Sequence, residues 1–138
     1  MKKTFVLALA AVLLISACGK QTLTPQIVTF ELKSNPTTGY SWQASQSEEL
    51  FQIESVYTDD EHAEGMVGVG GVETFTLTPL KAGTTELTLT YARSWESGEQ
   101  TDQVVYVFEI DKELQVKMVD GYSIGVEEPI PAPTPKIR

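Results

Sequence analysis

The chain has 138 residues, 41% of them apolar, and sets 10 Lys+Arg against 19 Asp+Glu for a formal net charge of −9. That is enough for one hydrophobic core and too little for two domains, and an acidic chain with no basic stripe argues against nucleic acid as a partner and against electrostatic docking on anionic lipid. With one Cys and one His, no Cys–His or Ser–His catalytic set and no multi-His/Cys metal centre assembles easily, so no enzyme, cofactor or metal is expected.

Met1-Lys2-Lys3 leads into an unbroken apolar run over 5–15, followed by Ile15-Ser16-Ala17-Cys18. The run is too short to span a bilayer and reads as a secretory signal over 1–17. Ile-Ser-Ala-Cys is similar to a bacterial lipobox, which implies that Cys18 is lipidated and begins the mature chain. Several acyl chains on one residue anchor durably, where a single chain is marginal. Gly19 rather than Asp after the Cys favours the outer membrane among lipoproteins that sort on this position. The expectation is a monomer in the bacterial cell envelope, anchored to the membrane through Cys18, at the outer membrane or facing the periplasm. No second Cys follows, so stability rests on the core alone.

Residues 18–25 form a short polar tether. From there to residue 121 the apolar pattern has period two. Val28, Phe30 and Leu32 alternate with polar residues, as do Phe75 and Leu77, then Leu87, Leu89 and Tyr91, and finally Leu114, Val116 and Met118. The run from Val104 to Ile110 is nearly continuous in apolar residues, as in a central strand covered on both faces. Strands are predicted over 26–33, 40–45, 50–58, 72–79, 84–92, 103–111 and 113–119. About seven strands separated by Gly and Pro, with no amphipathic helix, predict an all-β fold, an immunoglobulin-like antiparallel β-sandwich over 26–121. Beyond it, Pro129, Pro131, Pro133 and Pro135 make 122–138 an extended, partly mobile arm that cannot join a helix or a central strand.

Three loops are more unusual than the strands. Asn35-Pro36-Thr37-Thr38-Gly39-Tyr40 combines a fixed φ at Pro, stiff β-branched threonines and a permissive Gly, which makes a tip held in one shape. Taken alone it reads better as an ordinary turn that needs Pro and Gly. Thr58 to Gly71 is acidic and ends in Gly68-Val69-Gly70-Gly71, where a partner's backbone can approach closely, although a glycine cluster alone is weak evidence. Arg93-Ser94-Trp95 puts a Trp just past a strand end, either packed on the sandwich edge or offered as an interface anchor.

Taken in this order, Asn-Pro-Thr-Thr-Gly-Tyr, Gly-X-Gly-Gly and Arg-X-Trp resemble the motifs of the chagasin-type inhibitors of papain-like cysteine peptidases, over residues 26–111. Trp42 also fits, whereas Ser94 stands where that family usually has Pro. The resemblance implies a wedge of three loops that enters the peptidase cleft. Asn35, Pro36, Thr37, Thr38, Gly39 and Tyr40 would sit over the catalytic pair. Gly68, Gly70 and Gly71 would lie along the non-primed side, and Arg93 with Trp95 on the primed side. It implies reversible, competitive inhibition without covalent chemistry, and a papain-like cysteine peptidase as partner. Family members usually carry a full strand ahead of the segment matching 27–33, so 113–119 is expected to take the place of that missing strand.

The alternative is an immunoglobulin-like envelope lipoprotein that uses Trp95 to bind another surface partner, since sandwich folds host many functions. The acidic stretch Asp59-Asp60-Glu61-His62-Ala63-Glu64 lacks EF-hand spacing and a second His or Cys, and reads as a solvated rim rather than a metal site.

Overall fold

The computed structural model of the protein describes residues 22–61, 68–95, 102–126 and 129–136. In chain order the strands are β1 (Val28–Ser34), β2 (Tyr40–Gln46), β3 (Phe51–Asp59), β4 (Gly71–Pro79), β5 (Gly83–Arg93), β6 (Asp102–Ile110), β7 (Val116–Ile124) and the two-residue β8 (Thr134–Pro135). They form two antiparallel four-stranded sheets, ordered β3-β4-β1-β8 and β2-β5-β6-β7. This is the all-β sandwich expected from the alternation, with one short strand more than the seven predicted.

Period two becomes burial because residues i and i+2 of a strand share a face. Val28, Phe30 and Leu32 of β1 meet Phe75 and Leu77 of β4, Leu87 and Leu89 of β5, and Val104, Tyr106, Phe108 and Ile110 of β6. Phe30 stacks on Phe75 at 5.2 Å between ring centroids and tilts against Tyr106 at 4.9 Å. Each such side chain contributes roughly 1.5–3 kcal/mol on leaving water. β6 lies between β5 and β7 and buries Val105 on its outer face as well as its core-facing residues. That accounts for its continuous apolar run.

The last full strand begins later and runs further than the sequence indicates. Asp111 ends β6 in a turn: its Oδ1 accepts the N–H groups of Glu113 and Gln115, and Leu114 adopts φ 59°. The expected strand start is therefore a turn, with Leu114 packed against the core. At the other end β7 continues through Gly121, which pairs with Tyr106 and lies against Ile130 of the C-terminal segment. β7 pairs with β6 at the sheet edge.

The Pro-rich segment is extended, as expected, but it is docked on the sandwich. Val126 and Ile130 pack against the core, the buried Tyr106 hydroxyl donates to Pro131 O at 2.7 Å, and Thr134–Pro135 pair with Thr29 and Val28. Burial pushes the Tyr106 phenol well above its usual range, so it remains a donor to that carbonyl. The segment thus passes from the β7 edge of one sheet to the β1 edge of the other. Prolines lacking N–H groups are tolerated at such an edge. Residues 1–21, including Cys18, lie outside the described residues. Among the described residues no helix is long and apolar enough to cross a membrane.

The sandwich has two distinguishable ends. One carries Ser34, Tyr40, Asp59, Gly71, Arg93, Asp102 and Ile124, and all three notable loops; the far end carries Val28, Gln46, Phe51 and Ile110.

Candidate functional site

The first loop is a single 3₁₀ turn, Pro36–Thr38, closed by Gly39 at φ 83°. Pro supplies the φ of a first helical position, and the glycine supplies the left-handed one. Asn35 anchors the turn from both its backbone and its side chain. Its N–H donates to the Tyr91 hydroxyl at 2.8 Å, and its carbonyl accepts the Thr38 N–H at 3.2 Å and the Thr38 Oγ1 at 2.7 Å. Its Oδ1 accepts from the Thr37 hydroxyl, while its Nδ2 donates to the carbonyl of Gly68 in the second loop at 3.2 Å.

The third loop is tied to the first. Arg93 Nε donates to Thr38 O at 3.1 Å, and its guanidinium lies 4.5 Å from the Tyr40 ring centroid, a cation–π distance. Trp95 is 69% exposed, yet its ring lies across Gly39: a Cβ at Gly39 would come within 2.5 Å of Trp95 Cη2. Gly39 is therefore required twice, by its φ and by the indole above it. Trp95 thus takes its support from the first loop. One face of the indole is packed on the first loop and the rest is open to solvent.

The second loop leaves β3 and re-enters β4 as an extension of their ladder, with Asp60 N–H donating to Gly70 O at 3.1 Å. Gly71 is a close-approach position, where a Cβ would stand 2.2 Å from Thr58 O and 2.8 Å from the Tyr57 hydroxyl. That hydroxyl is buried with no hydrogen-bond partner among the described residues. Burial, and then the neighbouring Asp59, push its pKa up. His62 and Glu64 lie outside the described residues.

Under these loops Tyr91 joins the parts. Its ring stacks on Tyr40 at 5.3 Å and tilts against Trp42 at 4.9 Å, and the Trp42 indole N–H donates to Lys33 O at 2.8 Å. The sequence places Tyr91 only as the third inward residue of β5, since a hydroxyl's target is not legible in an alternation. A cleft of about 890 Å³ opens between the sheets beside the first two loops, lined by Leu32, Trp42, Tyr91, Val104, Val126 and Ile130 among others.

The structure thus brings Asn35–Tyr40, Gly68, Gly70, Gly71, Arg93 and Trp95 to one end. Among the described residues no cluster of three His, Cys, Asp or Glu is placed to hold a metal ion. The arrangement is a preorganised surface of backbone, threonine, arginine and indole, suited to binding.

Residues 24–110 match the chagasin family of peptidase inhibitors, and the chain belongs to that family, whose members are inhibitors and not enzymes. Amoebiasin-2 of Entamoeba histolytica is 35% identical over 75 residues, covering 54% of this chain and 61% of that protein. Chagasin of Trypanosoma cruzi is 37% identical over 76 residues, 51% of this chain and 67% of that one. The chain therefore spans about two thirds or less of the length of these relatives. The crystal structure of a cysteine protease inhibitor from Entamoeba histolytica superposes with a TM-score of 0.49 at 33% identity, covering 56% of this chain and 70% of that one.

Proposed function

We propose that this protein is a reversible, competitive inhibitor of papain-like cysteine peptidases that inserts its three loops into the active-site cleft and forms no covalent adduct. The observation that carries the reading is the cross-bracing of the loops in the free protein, through Asn35 to Gly68, Arg93 to Thr38 and Trp95 over Gly39. A partner need not order such a surface. Interfaces of ordinary size range from micromolar to picomolar in part according to that saving.

The first loop is also a poor substrate. Cleavage needs an accessible carbonyl aligned with the nucleophile and its oxyanion donors. Here the carbonyls of Asn35, Pro36 and Thr38 already accept bonds from Thr38, Gly39 and Arg93, and the turn is helical where a substrate would lie extended. Thr37 and Thr38 fill the site above the nucleophile, Gly68–Gly71 offer backbone on the non-primed side, and Arg93 with Trp95 pack on the primed side. Within the same proposal, Cys18 carries the lipid that holds a monomeric inhibitor in the cell envelope. Mass spectrometry of the mature N-terminus would read that modification directly.

Titrating papain with the purified protein, using a small fluorogenic substrate, tests the inhibitory part. Competitive inhibition that reverses on dilution is expected, and Thr37→Glu should weaken it. A folded protein that leaves papain, cathepsin L-like and cathepsin B-like enzymes fully active would overturn the reading.

A further inference from the structure

The loop end carries a fourth element that the three-motif description leaves out. β7 and the segment after it lie beyond the family-matched stretch of 24–110. The register pairs Gln103 with Ile124, so β7 terminates beside the start of β6, next to the root of the third loop. There the chain turns at Gly125, φ 77°, packed so closely on Asp102 that a Cβ would meet its Oδ1 at 2.5 Å. The turn is therefore seated on the first residue of β6.

Its chemistry is apolar. Val104 and Tyr106 point into the core, so Gln103, Val105 and their partners Ile124 and Tyr122 face outward. Val105 is buried, while Tyr122 and Ile124 are 45% and 44% exposed. Large apolar side chains left open beside a binding surface are characteristic of interaction sites.

Distance places this patch within reach of the same partner. Ile124 stands two strands, about 10 Å, from β5, at the level of Thr90 through the Gln103 pairings. Arg93 lies three residues further along, about 10 Å more. The combined offset of about 14 Å falls inside the radius of about 16 Å of a circular footprint of ~800 Å² centred on the third loop.

We infer that the β7 terminus, through Ile124 and Tyr122, forms a fourth contact with the bound peptidase, against an apolar rim beside the primed side of its cleft. This rests on the inhibitor reading above. The remainder of the C-terminal segment, docked through Val126, Ile130 and Pro131, fixes the turn in place, so the contact is as preorganised as the other three.

The test compares Ile124→Ser with Val119→Ser, a residue of equal exposure nearer the far end of the same strand. Inhibition constants are measured against papain, with melting temperatures alongside. Ile124→Ser should weaken inhibition about 5- to 20-fold, and Val119→Ser should leave it unchanged. A photo-crosslinking benzophenone side chain placed at 124 should capture papain, and the same group at 119 should not. Inhibition by Ile124→Ser within twofold of the unsubstituted protein, equal loss at both positions, or no crosslink from 124 would each overturn the fourth contact. No inhibition by the unsubstituted protein would instead overturn the inhibitor reading itself.

Discussion

The two ends of this sandwich are braced by similar hydrogen bonds placed at very different depths. At the far end the corner between β2 and β3 is held by Gln46, whose Oε1 accepts the N–H groups of Leu50 and Phe51 and whose Nε2 donates to Phe51 O. Buried Thr85 closes it from β5, donating to Glu48 O at 2.8 Å and accepting the Glu48 N–H at 3.2 Å. Leu50 and Phe51 lie under that corner, almost fully buried. At the loop end Asn35, Thr37, Thr38 and Arg93 make a comparable network with most of its atoms open to solvent. Desolvated bonds over a core maintain the fold, since leaving them unmade strands buried groups. Exposed bonds add little to stability, and their effect is to narrow the set of shapes a partner meets.

Substitutions can separate the two roles. Gln46→Ala should have the largest effect, a loss of about 2–3 kcal/mol from bonds of roughly 1 kcal/mol each. Thermal unfolding should fall by on the order of 10 °C, while the inhibition constant of the folded fraction stays unchanged. A matching loss of inhibition would show that the ends are coupled. Trp95→Ala should do the reverse, weakening inhibition by about 2 kcal/mol, or roughly 30-fold, and hardly moving the melting temperature, because the indole is mostly exposed. Asn35→Ala, which unties the first loop from the second, should weaken inhibition by about 1 kcal/mol, or roughly fivefold. A slower association rate is its expected signature, as competent loop arrangements become rarer. Tyr57→Phe should leave the melting temperature nearly unchanged, since it removes a hydroxyl without a hydrogen-bond partner among the described residues. A large loss there would reveal a partner for that oxygen in the second loop.

The far end and the strands were the more legible part of the sequence. Alternation at Val28, Phe30 and Leu32 and at Leu87 and Leu89 marks inward residues because a strand has only two faces. The apolar run of 104–110 marks the doubly covered β6. The loop end was legible as motifs and not as geometry. Asn35, Gly39 and Trp95 stand out by type and order, but nothing in their spacing says that the indole lies on the glycine or that Asn35 reaches Gly68. Those contacts join residues more than thirty positions apart and depend on how the two sheets are set against each other. The docked C-terminal segment was hidden for a related reason: four alternating prolines forbid a central strand but do not exclude an edge. Leu114 reads as a strand residue by hydropathy, and it is the Asp111 side chain that turns the chain there.

The described chain starts and finishes at the same end of the sandwich. Gln26 N–H donates to Leu114 O at 3.0 Å, and Lys136 N–H to Ile27 O at 2.8 Å, both at the end opposite the loops. A chain held at Cys18 would therefore stand on its far end like a post. Thr24 is already tied to that end, where Gln115 Nε2 donates to its carbonyl at 3.4 Å. The seven residues of β1 would add about 23 Å of rigid height. The loops would then stand at least that far from the point of attachment, facing away from it. Attachment at that end would leave all three loops clear of whatever the chain is attached to.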